Sequence, residues 1–291
     1  MRNILYIIGN GFDLKHGLAT RYGDFKQWLI RNNRIDVIQE LQHVFPIQNT
    51  NGFLLWSDFE DALGQYDITR IMKWSWEDLH LTENSFGGLK FGEPFSSLLD
   101  TEIIEILENN FRKWVDSISP AKSPKIINVD QEALYVTFNY TDTLETLYCI
   151  PEKQILHIHG RASKQEKLIV GHNREVDPSD YWDDNLDMRE NNERMQHIKD
   201  MNDLRKPYWD IIDRNESFFN KMKNIQDVYI YGHSCATIDY PYFQKIKDSI
   251  RNDALWHFFP YNEKDKHRIL QLISEIGIPN YDYQQYDARF A

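Results

Sequence analysis

Five short apolar runs in this chain each stop on small or polar residues: Gly9-Asn10-Gly11, Asn139-Tyr140-Thr141-Asp142, His159-Gly160, Gly171-His172-Asn173 and Gly232-His233-Ser234. In an open parallel sheet the carboxyl ends of the strands share one edge, and ligands bind there at the switch in strand order. Five such endings together point to a ligand site at that edge. Gly9 and Gly11 bracket one small polar residue, so the backbone can turn sharply and leave amide N–H groups to face an anion. The third glycine of a dinucleotide fingerprint is absent, because Leu14 takes its place. His159 ends its run beside Gly160, which leaves room for substrate, and a histidine there suits a general base near neutral pH.

Each residue has a plainer alternative. Asn139 is equally placed to cap a helix starting at Thr143, and His233 to cap one starting at Tyr240. His157 and His159 alternate on a strand and so share a face. With His172 they could ligate a metal, but such pairs more often pack and hydrogen-bond, and no metal is assigned. Ser234 lacks the G-x-S-x-G elbow, which argues against a serine hydrolase. His16 reads as structural.

These residues need strands to carry them. Ile4–Ile8 is a β-branched run suited to a strand buried on both faces. Further strands are expected at Ala133–Phe138, Gln154–Ile158, Leu168–Val170, Val228–Tyr231 and Leu255–Phe259. Helical spacing marks Tyr22 to Leu29 with Thr20 as a cap, Ile35 to Phe45, a short helix through Trp56, Phe59 and Leu63, and a long stripe from Leu99 to Ile118. Gln48–Gly52 reads as a loop, and Trp74–Pro94 as a mobile connection. Helices are also expected at Thr143–Tyr148, at 240–251 and at His267–Ile276. The fold class is α/β, a Rossmann-like and mostly parallel sheet in a single domain, with large helical insertions near 20–120 and 174–224.

Composition narrows the function. The chain has 291 residues, 41% of them hydrophobic, and a formal net charge of −12. That acidity opposes non-specific binding of nucleic acid, so nucleic acid is not expected as a partner. A metal-dependent nuclease would need a carboxylate cluster, and Asp58, Glu60 and Asp61 are the only compact acids near a motif. Acids at that helix start also suit the positive end of its dipole. The mean hydropathy is −0.61, and no apolar run approaches the roughly 20 residues that span a bilayer. No secretory signal pattern opens the chain, so a cytoplasmic protein without a membrane partner is expected. Two distant cysteines, Cys149 and Cys235, cannot build a disulfide framework or a four-cysteine zinc site.

The chain resembles the AbiH family of bacterial abortive-infection proteins. The resemblance rests on IIGNGFDLKHGLATRYGDF (Ile7–Phe25), WSDFEDAL (Trp56–Leu63), FNYTDTLETLY (Phe138–Tyr148), HIHG (His157–Gly160), VGHN (Val170–Asn173) and YGHSCATIDYPYF (Tyr231–Phe243). That family is in turn similar to sirtuin-like NAD-binding domains. The resemblance implies a nucleotide at the strand edge, with Asn139 and His159 as catalytic residues. Asn139 would position the nicotinamide ribose, and His159 would act on a ribose hydroxyl or an attacking water. Gly9, Asn10 and Gly11 would line the phosphates, with Phe12 and Asp13 following them. Thr137, Asp142, Gly160 and His172 would add ligand contacts, and Gly232, His233 and Ser234 would form the ribose-contacting turn.

The sequence departs from the sirtuin-like pattern N-[IY]-D: Thr141 follows Asn139-Tyr140, and the acid is displaced to Asp142. The expected activity is hydrolysis of NAD or a related nucleotide in phage defence, with NAD as substrate and no required cofactor. The alternative is a non-catalytic module that senses a nucleotide and acts through a protein partner. A homo-oligomer and a phage-derived trigger are the remaining partner expectations.

Overall fold

The computed structural model describes residues 3–44, 59–63, 95–186 and 188–284. Trp56, Asp58, the loop at 48–52 and the connection at 74–94 lie outside the described residues. The chain divides into two compact units. The first comprises Met1–Arg21, Val115–Ile169 and Pro207–Ala291, and the second comprises Tyr22–Trp114 and Val170–Lys206.

The first unit is built on a six-stranded sheet: β1 (Ile4–Ile8), β2 (Leu134–Thr137), β3 (Ile155–His157), β4 (Asp227–Tyr231), β5 (Leu255–Phe258) and β6 (Tyr281–Tyr283). Their order is β3-β2-β1-β4-β5-β6, and every pairing is parallel. The chain runs outward from β1 in one direction and resumes at β4 in the other, so the switch in order falls between β1 and β4. Ile8 is in register with Thr137 on one side and with Tyr231 on the other, which brings the ends of three strands to one place.

Alternation along the strands sends successive side chains to opposite faces. Leu5, Ile7, Val136, Leu156, Val228, Ile230, Trp256 and Phe258 join one core. That core also takes in residues of helices α8 (Tyr208–Arg214), α9 (Glu216–Phe219), α10 (Tyr240–Ser249) and α11 (Glu263–Ile276). Tyr6, Ile8, Tyr135, Tyr229 and Tyr231 face the other way, into a core shared with α1 (Asn10–Lys15) and α6 (Thr143–Tyr148). Both faces of the sheet are therefore covered, which explains why β1 is uncharged throughout and β4 carries its one charge, Asp227, at its first position. Helix α11 shows the local rules plainly. The Asn262 side chain accepts from the Asp265 N–H, Gly277 closes the helix at φ 67°, and Ile269, Leu272, Ile273 and Ile276 form its buried stripe.

The second unit contains α2 (Tyr22–Arg31), α3 (Ile35–Val44), α4 (Phe59–Leu63), α7 (Met188–Asp203) and most of α5 (Phe95–Asp116). Aromatic rings form much of its interior. Phe25 packs edge-on against Phe111 at 5.4 Å between centroids and lies 5.2 Å from Trp114, while Tyr22 lies 5.1 Å from Phe59. Lys206 is buried and donates to Glu60 Oε2 at 2.9 Å, and Glu60 also accepts from the Tyr22 hydroxyl at 2.8 Å. Glu60 thus serves an internal ion pair.

Two expectations about elements fail, and one strand was not expected. Leu168–Val170 is not a strand. Gly160 turns the chain at φ 80°, and Ile169 N–H then makes one backbone bond to His159 O without extending into a ladder. The Thr20 hydroxyl has no hydrogen-bond partner among the described residues and does not cap α2. Strand β6 is absent from the sequence reading because its Tyr-Asp-Tyr carries no apolar run; Tyr281 and Tyr283 line up with Trp256 and Phe258 and pack on the Phe258 ring.

Candidate functional site

The turn after β1 is closed by backbone. Gly9 N–H donates to Tyr231 O at 2.9 Å, and Gly11 N–H donates to Gly232 O at 2.8 Å. A Cβ on Gly9 would stand 2.5 Å from His233 Cα, and one on Gly11 would stand 2.7 Å from Gly232 Cα. Gly232 itself is at φ 65°, and a Cβ there would overlap the Phe12 nitrogen. These glycines exist so that the β1 and β4 turns can touch. This corrects the expectation that the Gly9 and Gly11 amides are free to face an anion. The Asn10 side chain is exposed and donates to Thr20 O at 3.0 Å.

Asn139 follows β2 and is 6% exposed. It does not cap α6, whose N-terminal flank is Asp142. Its Nδ2 instead donates to Gly9 O at 3.2 Å and bonds Asp13. Two acceptors on the nitrogen fix which way the amide faces. The Oδ1 atom is left buried with no hydrogen-bond partner among the described residues. An unpaired buried acceptor costs about 1–3 kcal/mol.

Beneath Asn139 lies Asp13, 1% exposed, on α1. Its oxygens accept from the hydroxyls of Thr141 at 2.5 Å and Thr143 at 2.7 Å. Burial pushes its carboxyl up to about 6, against the opposing pull of the Thr141, Thr143 and Asn139 hydrogen bonds and the nearby His157. Thr137 contributes through its Oγ1, which accepts from Asn139 N–H at 3.1 Å. Phe12 packs against His16 and Tyr148. His16 is structural, as expected: Nδ1 donates to Phe12 O at 2.7 Å, so Nε2 accepts from the Tyr148 hydroxyl at 2.6 Å.

His159 and His233 come together around Phe138. The Phe138 ring meets His159 edge-on at 5.4 Å and His233 at 4.3 Å, while Tyr140 stacks over His159 at 6.0 Å. His159 Nε2 is 3.8 Å from Asp239 Oδ1, and His233 Nε2 is 3.4 Å from Asp239 Oδ2. His233 caps no helix, since Asp239 holds the position before α10. Its Nδ1 accepts from Cys235 N–H at 2.9 Å. Ser234, next to it, is exposed. Cys235 is buried and unpaired, and burial raises its thiol pKa; Cys149 is free and exposed.

His157 and His159 do not share a face. Strand β3 ends at His157, whose Nε2 meets Glu145 Oε1 at 2.8 Å, whereas His159 lies in the following turn and meets Asp239. No group of three or more His, Cys, Asp or Glu side chains among the described residues is arranged to hold a metal ion. Asp142 is engaged by Arg161, whose Nε donates to its Oδ1 at 2.5 Å, and Arg161 also reaches Glu152 at 3.0 Å. Gly160 turns tightly enough that a Cβ would overlap Lys167 O. His172 belongs to the second unit, where its Nδ1 accepts from Arg174 N–H at 3.1 Å and its backbone carbonyl accepts from Lys206 N–H at 2.9 Å.

The structure therefore brings Gly9, Gly11, Asp13, Thr137, Asn139, Gly232 and His233 to the strand ends, with His159 beside His233. It adds three residues that the sequence reading passed over: Thr141, Thr143 and Asp239. All three sit inside the quoted motif stretches, but their types gave no separate signal. A doubly wound parallel α/β unit with a buried polar cluster at its strand-order switch is the class this fold and site define. The described residues contain no helix long and apolar enough to cross a membrane. Residues 5–260 match the family described as bacteriophage abortive infection AbiH, and the chain belongs to that family. No curated protein matches the chain.

Proposed function

We propose that this abortive-infection protein cleaves the N-glycosidic bond of NAD or a related nucleotide at the edge formed by Asn139 and His159. The observation that carries the reading is Asn139 Oδ1, a buried acceptor with fixed direction and no partner among the described residues. A ribose hydroxyl has the donor it lacks. His159 supplies a proton acceptor on the next strand end, beside the Phe138, Tyr140 and Tyr242 rings.

In the step proposed, the bond between ribose C1′ and the nicotinamide nitrogen breaks, and its electron pair stays on that nitrogen. Water forms the new bond to C1′ and gives its proton to His159. The oxocarbenium-like state between them is favoured by polar groups already in place. The Gly9 and Gly11 amides are spent on Tyr231 and Gly232, so this reading places no phosphate on them.

The test is NAD content in phage-infected cells making the intact protein, Asn139→Ala or His159→Ala. The intact protein alone should deplete NAD, and each variant should turn over at least about 100-fold more slowly. Protection with NAD unchanged would overturn NAD cleavage. Variants that lose protection at unchanged nucleotide levels would point instead to a sensing module.

A further inference from the structure

The polar groups of Asn139 are tied down from three directions, and one is left over. Its backbone N–H donates to Thr137 Oγ1 at 3.1 Å, at the end of β2. Its side-chain Nδ2 donates to Gly9 O at 3.2 Å, just past β1. Its backbone carbonyl meets His157 Nδ1 at 3.2 Å, at the end of β3. Only Oδ1 has no hydrogen-bond partner among the described residues. The hold on the carbonyl comes from a long side chain, so it is only as firm as that side chain's own anchorage.

His157 is in register with Thr137, and its side chain is 8% exposed. Its second ring nitrogen, Nε2, is 2.8 Å from Glu145 Oε1 on α6. A carbonyl oxygen can only accept, so Nδ1 must carry a proton to bond Asn139. Nε2 and Glu145 Oε1 then need one further proton between them, whichever of the two it is bonded to. With that proton in place both ring nitrogens are engaged, and the ring cannot rotate without breaking two hydrogen bonds. Glu145 is held in its turn. Leu144, Leu147 and Tyr148 bury its helix in the core beside the sheet, and Arg161 Nη1 lies 3.4 Å from Oε1.

The geometry points to His157 as a positioning residue: with Glu145 holding the ring, its Nδ1–H fixes the Asn139 carbonyl and so aims Asn139 Oδ1. The consequence for turnover rests on the reading of Asn139 as the group that meets the ribose; the hold on the carbonyl does not.

The experiment compares the wild type, His157→Phe and His157→Asn in the full chain. Phenylalanine keeps a flat ring but has no donor, whereas the asparagine NH2 can stand near the place of Nδ1 and donate to the carbonyl. Nuclear magnetic resonance reads the Asn139 carbonyl carbon and the ring nitrogens of His157. In the wild type Nδ1 should carry a proton. The carbonyl signal should move in His157→Phe and return toward the wild type in His157→Asn. The His16 ring, held by Phe12 O and Tyr148, reports whether each variant has folded. If the protein cleaves nucleotide, His157→Phe should lower kcat/KM by about 10–100-fold, and His157→Asn should lie closer to the wild type. A role in packing alone predicts the reverse order, because phenylalanine fills the space better. A folded His157→Phe protein with the carbonyl signal unmoved would overturn the proposal. So would a wild-type Nδ1 without a proton, which decides the matter even where a variant does not fold. A carbonyl that follows residue 157 in a chain without nucleotide cleavage would sink the cleavage reading and leave the hold standing.

Discussion

Asp13→Asn removes one ionisation from the centre of the first unit while keeping the shape of the side chain. Asp13 is buried, and its carboxyl is raised from 3.8 to about 6 in the folded protein. A raised carboxyl pKa means that the unfolded chain ionises first. The stability tied to the protonated form is fully present below 3.8 and is lost as pH rises through about 6. Raising the carboxyl from 3.8 to about 6 corresponds to about 3 kcal/mol in total, of which roughly half falls between pH 5 and pH 8. Asparagine cannot ionise. It retains one acceptor for the Thr141 and Thr143 hydroxyls, either of which can turn to accept from the new NH2. The assay is urea unfolding of both proteins at half-unit steps from pH 5 to pH 8, followed as the difference between them so that groups common to both cancel. The wild type should lose on the order of 1 kcal/mol relative to Asp13→Asn across that range. A flat difference would refute the claim that Asp13 is held at the expense of its charge. A difference of opposite slope would mean that its hydrogen bonds outweigh its burial.

Gly232→Ala should cost at least about 3 kcal/mol, because alanine is strained at φ 65° and its Cβ would overlap the Phe12 backbone nitrogen. Gly23→Ala, in a helix and with nothing near its Cβ, should instead gain about 0.5–1 kcal/mol; equal midpoints for the two variants would contradict the packing of the turns. His16 has its pKa lowered by burial, so it contributes stability above 6.5 that is lost as pH falls through its folded value. The stability difference between the wild type and His16→Gln should accordingly shrink on acidification from pH 7.5 to pH 5, and a constant difference in paired urea curves would refute this.

Much of the architecture was legible because buried parallel strands and amphipathic helices write their period into the chain. Ile4–Ile8 forms β1 and Thr143–Tyr148 forms α6 with the bounds read from sequence, and Val228–Tyr231 misses β4 by one residue. Leu168–Val170 misled because apolar character alone does not say whether a neighbour is in place to pair with it. Strand β6 escaped for the converse reason: its tyrosines gain their place from Phe258 and Trp256, which sit more than twenty residues earlier. Asn139 and His159 could be named as candidates from their position after strands, but whether Asn139 capped a helix or faced a ligand could not be decided there. The Nδ2 bonds to Gly9 and Asp13 decide against the cap.

The sequence by itself determined the parallel α/β class, the order of most elements and the membership of a phage abortive-infection family, since periodicity and motif wording are local properties. Tertiary structure decided everything that depends on two distant segments meeting. It closed the Gly9 and Gly11 amides with β4 carbonyls and buried Asp13 under two threonines. It set Asp239 between His159 and His233. Apart from His233 and Asp239, which lie close in the chain, those partners are separated by tens to hundreds of residues, and hydrogen-bond direction, burial and pKa are fixed only when the fold brings them within a few ångströms.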